Sequence, residues 1–133
     1  MTEDDLKKRT KQFALRILKL VAALPRTLAG RTIGGQLARS GTSVAANYRA
    51  ACRARSKAEF ISRLGVVEEE ADESALWLEL IIEGELMKKE LVEALWTEAD
   101  EIVAIMTSSR KSAGRSLVAD QAKSKIKIQK SKI

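Results

Sequence analysis

Charged side chains are the groups in this sequence that could bind a ligand, and positive and negative charges are distributed unevenly along the chain. Of the 133 residues, 24 are Lys or Arg and 18 are Asp or Glu, which gives a net charge of +6. Residues 1–63 carry 14 cations against 4 acids, residues 64–101 carry 2 against 13, and residues 102–133 carry 8 against 1. The sequence therefore has basic ends and an acidic middle.

Clustered cations suit the phosphate backbone of RNA or DNA. We predict nucleic-acid contact through cations near the N-terminus, around residues 49–63 and in the tail: Lys7, Lys8, Arg9, Lys11, Arg49, Arg53, Arg55, Lys57, Arg63, Lys123, Lys125, Lys127 and Lys130. The alternative is that these cations pair with acids between Glu68 and Glu101, within one subunit or between subunits. Residues 1–110 carry 17 cations and 17 acids, so this alternative is at least as well supported there. In the tail Asp120 is the one acid, which leaves phosphate contact or a solubilising role.

Catalytic and metal-binding patterns are missing from the sequence. The chain has no histidine, so it lacks Ser–His and Cys–His pairs and the Glu-x-x-His ligands of di-iron bundles. Arginines near Cys52, the one cysteine, favour a lowered thiol pKa, but we interpret this residue as small packing material. We expect no enzymatic activity, no metal and no cofactor.

The location of the protein is also an expectation from composition. A single cysteine forms no intramolecular disulfide, and the N-terminus shows no secretion signal. No stretch approaches the roughly 20 apolar residues that span a bilayer. We predict a cytoplasmic, bacterial protein that does not enter membranes.

Apolar residues recur at steps of three and four, which predicts an all-α fold with four helices. The first helix covers about residues 3–24, with a weak Thr2–Asp5 capping box, and the second begins after Thr32. The third begins at a Ser56–Glu59 capping box and ends near Gly84 in a left-handed conformation, and the fourth covers about residues 88–109. Short connections favour an antiparallel up-and-down bundle over residues 1–110, followed by a flexible basic tail over residues 111–133.

Polar residues interrupt the buried stripe of the predicted second helix. Ser40, Ser43 and Asn47 lie on it, and we interpret them as a structural polar seam. In this interpretation the serines bond to backbone carbonyls, and Asn47 pairs with Glu70 or Glu73 to fix the register of two helices. The alternative is a polar lining of a pocket or pore in an oligomer.

Three segments together form a recognisable pattern. The first comprises Gln36, Leu37, Arg39, Ser40, Ser43, Val44 and Asn47, the second Arg55, Ser56, Glu59, Phe60 and Ile61, and the third Glu70, Glu73, Trp77 and Leu78. The pattern resembles the four-helix-bundle family of 23S ribosomal RNA intervening-sequence proteins. The chain departs from this family after Asn47, where Tyr48-Arg49-Ala50-Ala51 replaces the frequent Ile-Ala-Glu-Gly.

The resemblance implies a bundle that assembles as a homopentamer without enzymatic activity. A related branch, the accessory proteins of diversity-generating retroelements, is similar to a pentameric barrel that binds nucleic acid and a reverse transcriptase. We therefore predict a non-enzymatic oligomeric adaptor that binds RNA or DNA backbones. The alternative is a protein–protein interaction scaffold, for example a partner of a reverse transcriptase, without nucleic-acid binding.

Overall fold

The computed structural model describes residues 1–131, and within this range the chain forms four α-helices. They are α1 (Glu3–Ala22), α2 (Leu28–Cys52), α3 (Lys57–Glu83) and α4 (Lys89–Ser131). The prediction of an all-α four-helix fold is confirmed for these residues. The last two residues of the predicted tail, 132 and 133, lie outside the described residues.

Each helix packs against the next one in the chain, and α1 also packs against α4, more sparsely. Over residues 1–131, no Cα atoms of the α1–α3 and α2–α4 pairs lie within 8 Å of each other, so these helices lie on the diagonals of the bundle. Ion pairs join Lys57 to Asp120 and Glu68 to Arg110, which shows that α3 and α4 run antiparallel. The start of α1, the end of α2 and the start of α3 therefore share one end of the bundle, and α4 runs past them.

The core is built from apolar residues that recur at helical spacing. Its largest fully buried side chains include Phe13, Ile17, Leu37, Val44, Leu64, Leu78, Ile81, Ile102 and Met106. Each such side chain stabilises the fold by about 1.5–3 kcal/mol relative to an exposed position. Phe60, from the second segment of the family pattern, is only half-buried.

Two of the predicted helix starts are confirmed, and one is wrong. Thr2 and Asp5 form the capping box of α1, and the Ser56 hydroxyl accepts from the amide of Glu59 at the start of α3. The Glu59 carboxylate accepts from the amide of Arg55, not from that of Ser56 as predicted. The N-cap of α2 is Thr27 instead of Thr32.

Close packing explains the early start of α2. The predicted start after Thr32 left Gly30 outside the helix, but Gly30 lies in its first turn, against the backbone of Pro25. A Cβ atom at Gly30 would lie 2.0 Å from the Pro25 carbonyl oxygen. This glycine therefore permits a tight turn between helices instead of ending one.

The left-handed residue at the end of α3 is Glu85 (φ 55°), not Gly84 as predicted (φ −82°). The amide of Leu86 donates to the carbonyl of Ile81 at 3.0 Å, and the amide of Glu85 donates to the carbonyl of Ile82 at 3.1 Å. This is the bonding of a Schellman motif, in which the residue after the C-cap is left-handed. The prediction was one residue early because it placed the glycine at that position.

Residues 111–131, which the sequence assigned to a flexible basic tail outside the helices, continue α4 as helix. No proline interrupts this segment, and its Ala, Lys and Gln residues favour a helix. The domain boundary near residue 110 stays a prediction. We call residues 111–131 the α4 extension.

No helix in the described part of the chain is long and apolar enough to cross a membrane.

Candidate nucleic-acid interface

Ion pairs already occupy some of the cations that the sequence nominated. Arg9 on α1 donates to Glu98 Oε1 at 2.7 Å and to Glu101 Oε2 at 2.6 Å, both on α4. The hydrogen bonds from Arg9 lower the pKa of the Glu98 carboxyl and outweigh the opposing effect of its burial. Arg9 thus has a structural role in closing α1 onto α4.

Two further predicted cations, Lys57 and Arg63, lie beside acids near the start of α3. Lys57 pairs with Asp120, and its Nζ donates to the Ser116 hydroxyl at 2.7 Å. Arg63 lies 3.7 Å from Glu59, one turn away on the same helix. The alternative of internal pairing thus describes Arg9, Lys57 and Arg63, whose contact with phosphate stays a prediction.

Five other predicted cations converge on one cavity, which we call the basic groove. Lys7, Lys8 and Lys11 on α1, Arg49 on α2 and Arg53 at the C-cap of α2 line a space of about 420 Å³, with Asp4 as its one acid. Helical spacing assembles this groove, because residues three or four apart share one face of a helix. Within residues 1–131, none of the five cations forms a salt bridge. Their positive charge is therefore available to an external anion.

The remaining predicted cations lie beside the groove or on the α4 extension. Arg55 is exposed in the turn between α2 and α3. Lys123, Lys125, Lys127 and Lys130 are exposed on the extension, beyond its contact with Lys57 through Asp120. The groove and the extension thus lie at the same end of the bundle.

Within residues 1–131, one α2 residue of the predicted polar seam, Ser40, contacts α3 through its side chain. The hydroxyls of Ser40 and Ser74, both fully buried, lie 2.8 Å apart, and Ser74 also donates to the Glu70 carbonyl at 2.9 Å. The amide of Asn47 donates to the Ser43 carbonyl at 2.9 Å, so its predicted pairing with Glu70 or Glu73 is wrong. Across the described residues, the Ser43 side chain makes no hydrogen bond.

Arg39 forms ion pairs with Glu70 and Glu73, the two carboxylates that were predicted as alternative partners of Asn47. Its guanidinium contacts Glu70 Oε2 at 3.1 Å and also pairs with Glu73. The Arg side chain is long enough to reach both carboxylates, which stand three residues apart on one face of α3. That spacing shows that one guanidinium can reach both carboxylates, but which cation of α2 faces them depends on the register between the two helices.

Cys52 and the acids Glu68, Glu70 and Glu73, which we call the acidic run of α3, contact neighbouring side chains. Burial, together with the neighbouring Glu3 carboxylate, raises the pKa of the Cys52 thiol to about 11, opposite to the lowering that the nearby arginines suggested. In the acidic run, Glu68 accepts from Thr107 and Arg110 while Glu70 and Glu73 pair with Arg39. No group of three or more His, Cys, Asp and Glu side chains in residues 1–131 is arranged to hold a metal ion.

Comparison with known proteins identifies the family. Residues 3–108 match the family described as 23S rRNA-intervening sequence protein. This chain belongs to that family. A similar solved structure is that of a protein of unknown function from the S23 ribosomal protein family of Bacteroides thetaiotaomicron. It is 36% identical, has a TM-score of 0.75, and the alignment covers 80% of this chain and 98% of that one. A search of curated proteins finds no significant match.

The family match ends at residue 108, so it includes the basic groove but not the α4 extension. The sequence resemblance to 23S rRNA intervening-sequence proteins is thereby confirmed. The family description names an intervening sequence of 23S rRNA and assigns no ligand to the groove.

Proposed function

We propose that this 23S rRNA-intervening sequence protein is a non-enzymatic adaptor that binds the backbone of RNA or DNA at the groove end of its bundle. The observation that supports this function best is the basic groove, where five cations without salt-bridge partners in residues 1–131 line one concave surface. Phosphate groups are the anions that such a surface binds, with an affinity that falls steeply as salt rises.

Ion pairs within the protein reduce the set of cations that we propose to bind nucleic acid. Carboxylates lie beside Arg9, Lys57 and Arg63, so a phosphate would compete with these carboxylates for the three cations. The proposal therefore depends on Lys7, Lys8, Lys11, Arg49 and Arg53, supported by Arg55 and the lysines of the α4 extension.

A charge-matched pair of variants tests the groove. One triple variant carries Lys11→Gln, Arg49→Gln and Arg53→Gln, and the control carries Lys19→Gln, Arg26→Gln and Lys88→Gln, away from the groove. All six positions are exposed, so both variants lose the same charge without loss of core packing.

Binding is measured by fluorescence anisotropy with labelled RNA and DNA over a salt series. The groove variant should bind about tenfold more weakly and lose up to about 2.7 from the log–log salt slope, whereas the control should keep the slope. Equal slopes for the two variants would contradict binding in the groove. No binding by the unmodified protein at low salt would leave the protein-scaffold function in its place.

We also propose that the chain associates with itself, as the family resemblance to a homopentamer implies. Leu15 and Leu18 are 52% and 45% exposed on α1, and Leu76 and Leu80 are 46% and 39% exposed on α3. Cations adjoin the first pair and acids adjoin the second, and the two helices are diagonal in the bundle. If the α1 face of one copy contacts the α3 face of the next, the interface is heterologous. Such an interface forms a closed ring when the rotation between neighbouring subunits divides a full turn evenly.

Sedimentation velocity tests this assembly. Leu76→Gln with Leu80→Gln should shift the protein toward monomer while its melting temperature changes little, because both side chains are largely exposed. The matched control is Leu91→Gln, since Leu91 is 64% exposed on α4. A monomeric unmodified protein would exclude the oligomer and leave the groove proposal intact.

A further inference from the structure

The α4 extension is the part of the fold that internal packing explains least. Residues 121–131 are exposed throughout, yet they remain helical. At 1.5 Å per residue the extension is about 30 Å long, which is close to one turn of B-form DNA. Residues 111–131 carry six cations, and Asp120 is their one acid.

The positions of these cations around the helix follow a pattern. At about 100° per residue, Ala119, Ala122 and Ile126 form a narrow strip along one side. Lys123, Lys127 and Lys130 form a row beside this strip, while Lys111 and Lys125 lie on its other side and Arg115 lies at its bundle end. Cations thus cover about 200° of the circumference.

This pattern matches a helix that lies in a groove between two phosphate backbones. In the major groove of B-form DNA, cations on both sides of a helix reach the two backbones, and small apolar side chains such as Ala contact the floor, including thymine methyl groups. A-form RNA has a deep, narrow major groove that does not admit such a helix. The extension has no aromatic residue on which single-stranded bases stack.

We propose that the α4 extension binds the major groove of duplex DNA as a preformed helix. The inference rests on the proposed nucleic-acid function and adds its ligand class, B-form DNA. The Lys57–Asp120 pair and the Lys57–Ser116 hydrogen bond hold the extension at its base, beside the start of α3. The basic groove lies at the same end of the bundle and contacts the neighbouring backbone.

A proline variant separates helical structure from charge. Ser124→Pro breaks the helix after its contact with Lys57 and keeps every cation, while Ser124→Ala is the matched control that keeps the helix. Ser124 is exposed and outside the strip, so the bundle should melt at an unchanged temperature in both variants. Circular dichroism verifies that the proline variant alone loses helix.

Fluorescence anisotropy then uses a 20-base-pair DNA duplex, its single strand and the matching RNA duplex as probes. The full-length protein should bind the DNA duplex about tenfold more tightly than the other two probes, and Ser124→Pro should remove that preference while Ser124→Ala keeps it. These results would support the inference.

Other outcomes overturn it in distinguishable ways. Equal duplex binding by the two Ser124 variants means that charge without helix is sufficient, which overturns the groove helix but keeps the proposed function. Equal affinity of the full-length protein for all three probes does the same. If Ser124→Pro weakens binding to vesicles of phosphatidylcholine with phosphatidylglycerol but not to DNA, the extension binds a membrane surface. If the protein binds no nucleic acid, both the inference and the proposed function fail.

Discussion

At the scale of single residues, the Ser40–Ser74 pair is a fully buried polar contact between α2 and α3. Both hydroxyls are fully buried and lie 2.8 Å apart. Ser40→Ala should lower the free energy of unfolding by about 1 kcal/mol, because Ser74 then loses a partner in the core but keeps its bond to the Glu70 carbonyl.

Chemical denaturation of Ser40→Ala, Ser74→Ala and the double variant measures this pair. The loss in free energy of unfolding should be smaller for the double variant than for the two single variants added together. The reason is that the second substitution removes no further hydrogen bond between the two side chains. Strict additivity would show that the hydroxyls do not stabilise each other.

The Cys52 thiol should be unreactive at neutral pH. Its pKa is raised to about 11, chiefly by burial and then by Glu3, so the thiolate is scarce. Relative to an exposed thiol, the thiolate fraction at pH 8 falls by about 100-fold, and alkylation by iodoacetamide should slow by at least about tenfold. Reaction at the rate of free cysteine would contradict this burial.

Side-chain partners were harder to predict than side-chain roles. The sequence placed Ser40 and Asn47 on a polar seam because their spacing follows the buried stripe. It did not assign Ser74 to Ser40, or Glu70 and Glu73 to Arg39, because both assignments depend on the relative register of α2 and α3. A pattern within one helix does not contain that register.

At the scale of helices, Gly41 sets the distance between α1 and α2. A Cβ atom at this position would lie 2.8 Å from both Cγ atoms of the fully buried Ile17. Gly41→Ala should therefore destabilise the bundle by about 1–3 kcal/mol through overpacking, which exceeds the gain in helix propensity.

Gly35 is the matched control in the same helix, because a Cβ atom there would meet nothing within 4 Å. Gly35→Ala should raise stability by up to about 1 kcal/mol, as expected for a helix interior. In thermal melts, the melting temperature should therefore fall for Gly41→Ala and rise for Gly35→Ala, relative to the unmodified protein. A stabilised Gly41→Ala would show that the two helices separate at little cost.

The presence of the four helices could be predicted from the sequence, but some of their ends could not. Side-chain capping at Thr2 and Ser56 is local and was predicted from sequence. The start of α2 depends on the contact of Gly30 with Pro25, and the end of α4 depends on helix continuation beyond the core. Both involve packing or its absence, which hydrophobic spacing does not describe.

At the scale of the whole molecule, closure of the bundle depends on the α1–α4 seam, which is the most sparsely packed of its four contacts. Arg9 bridges this seam through Glu98 and Glu101, and it holds the pKa of the Glu98 carboxyl below its ordinary value. A lowered carboxyl pKa stabilises the fold above the pKa of the unfolded chain, and this stabilisation is lost as pH falls through the folded value.

The variant Glu98→Gln should therefore destabilise the protein by about 1 kcal/mol at pH 7, discounted for the partial exposure of the pair. As pH falls from 6 to about 3, wild type loses the contribution of Glu98 and the variant does not, so the two melting temperatures should converge. The control Glu93→Gln alters a carboxylate that is 58% exposed and 4.0 Å from Lys89, and it should change stability little. A gap between wild type and Glu98→Gln that stays constant with pH would mean that charge on Glu98 does not hold α1 against α4, and that apolar packing alone closes the bundle.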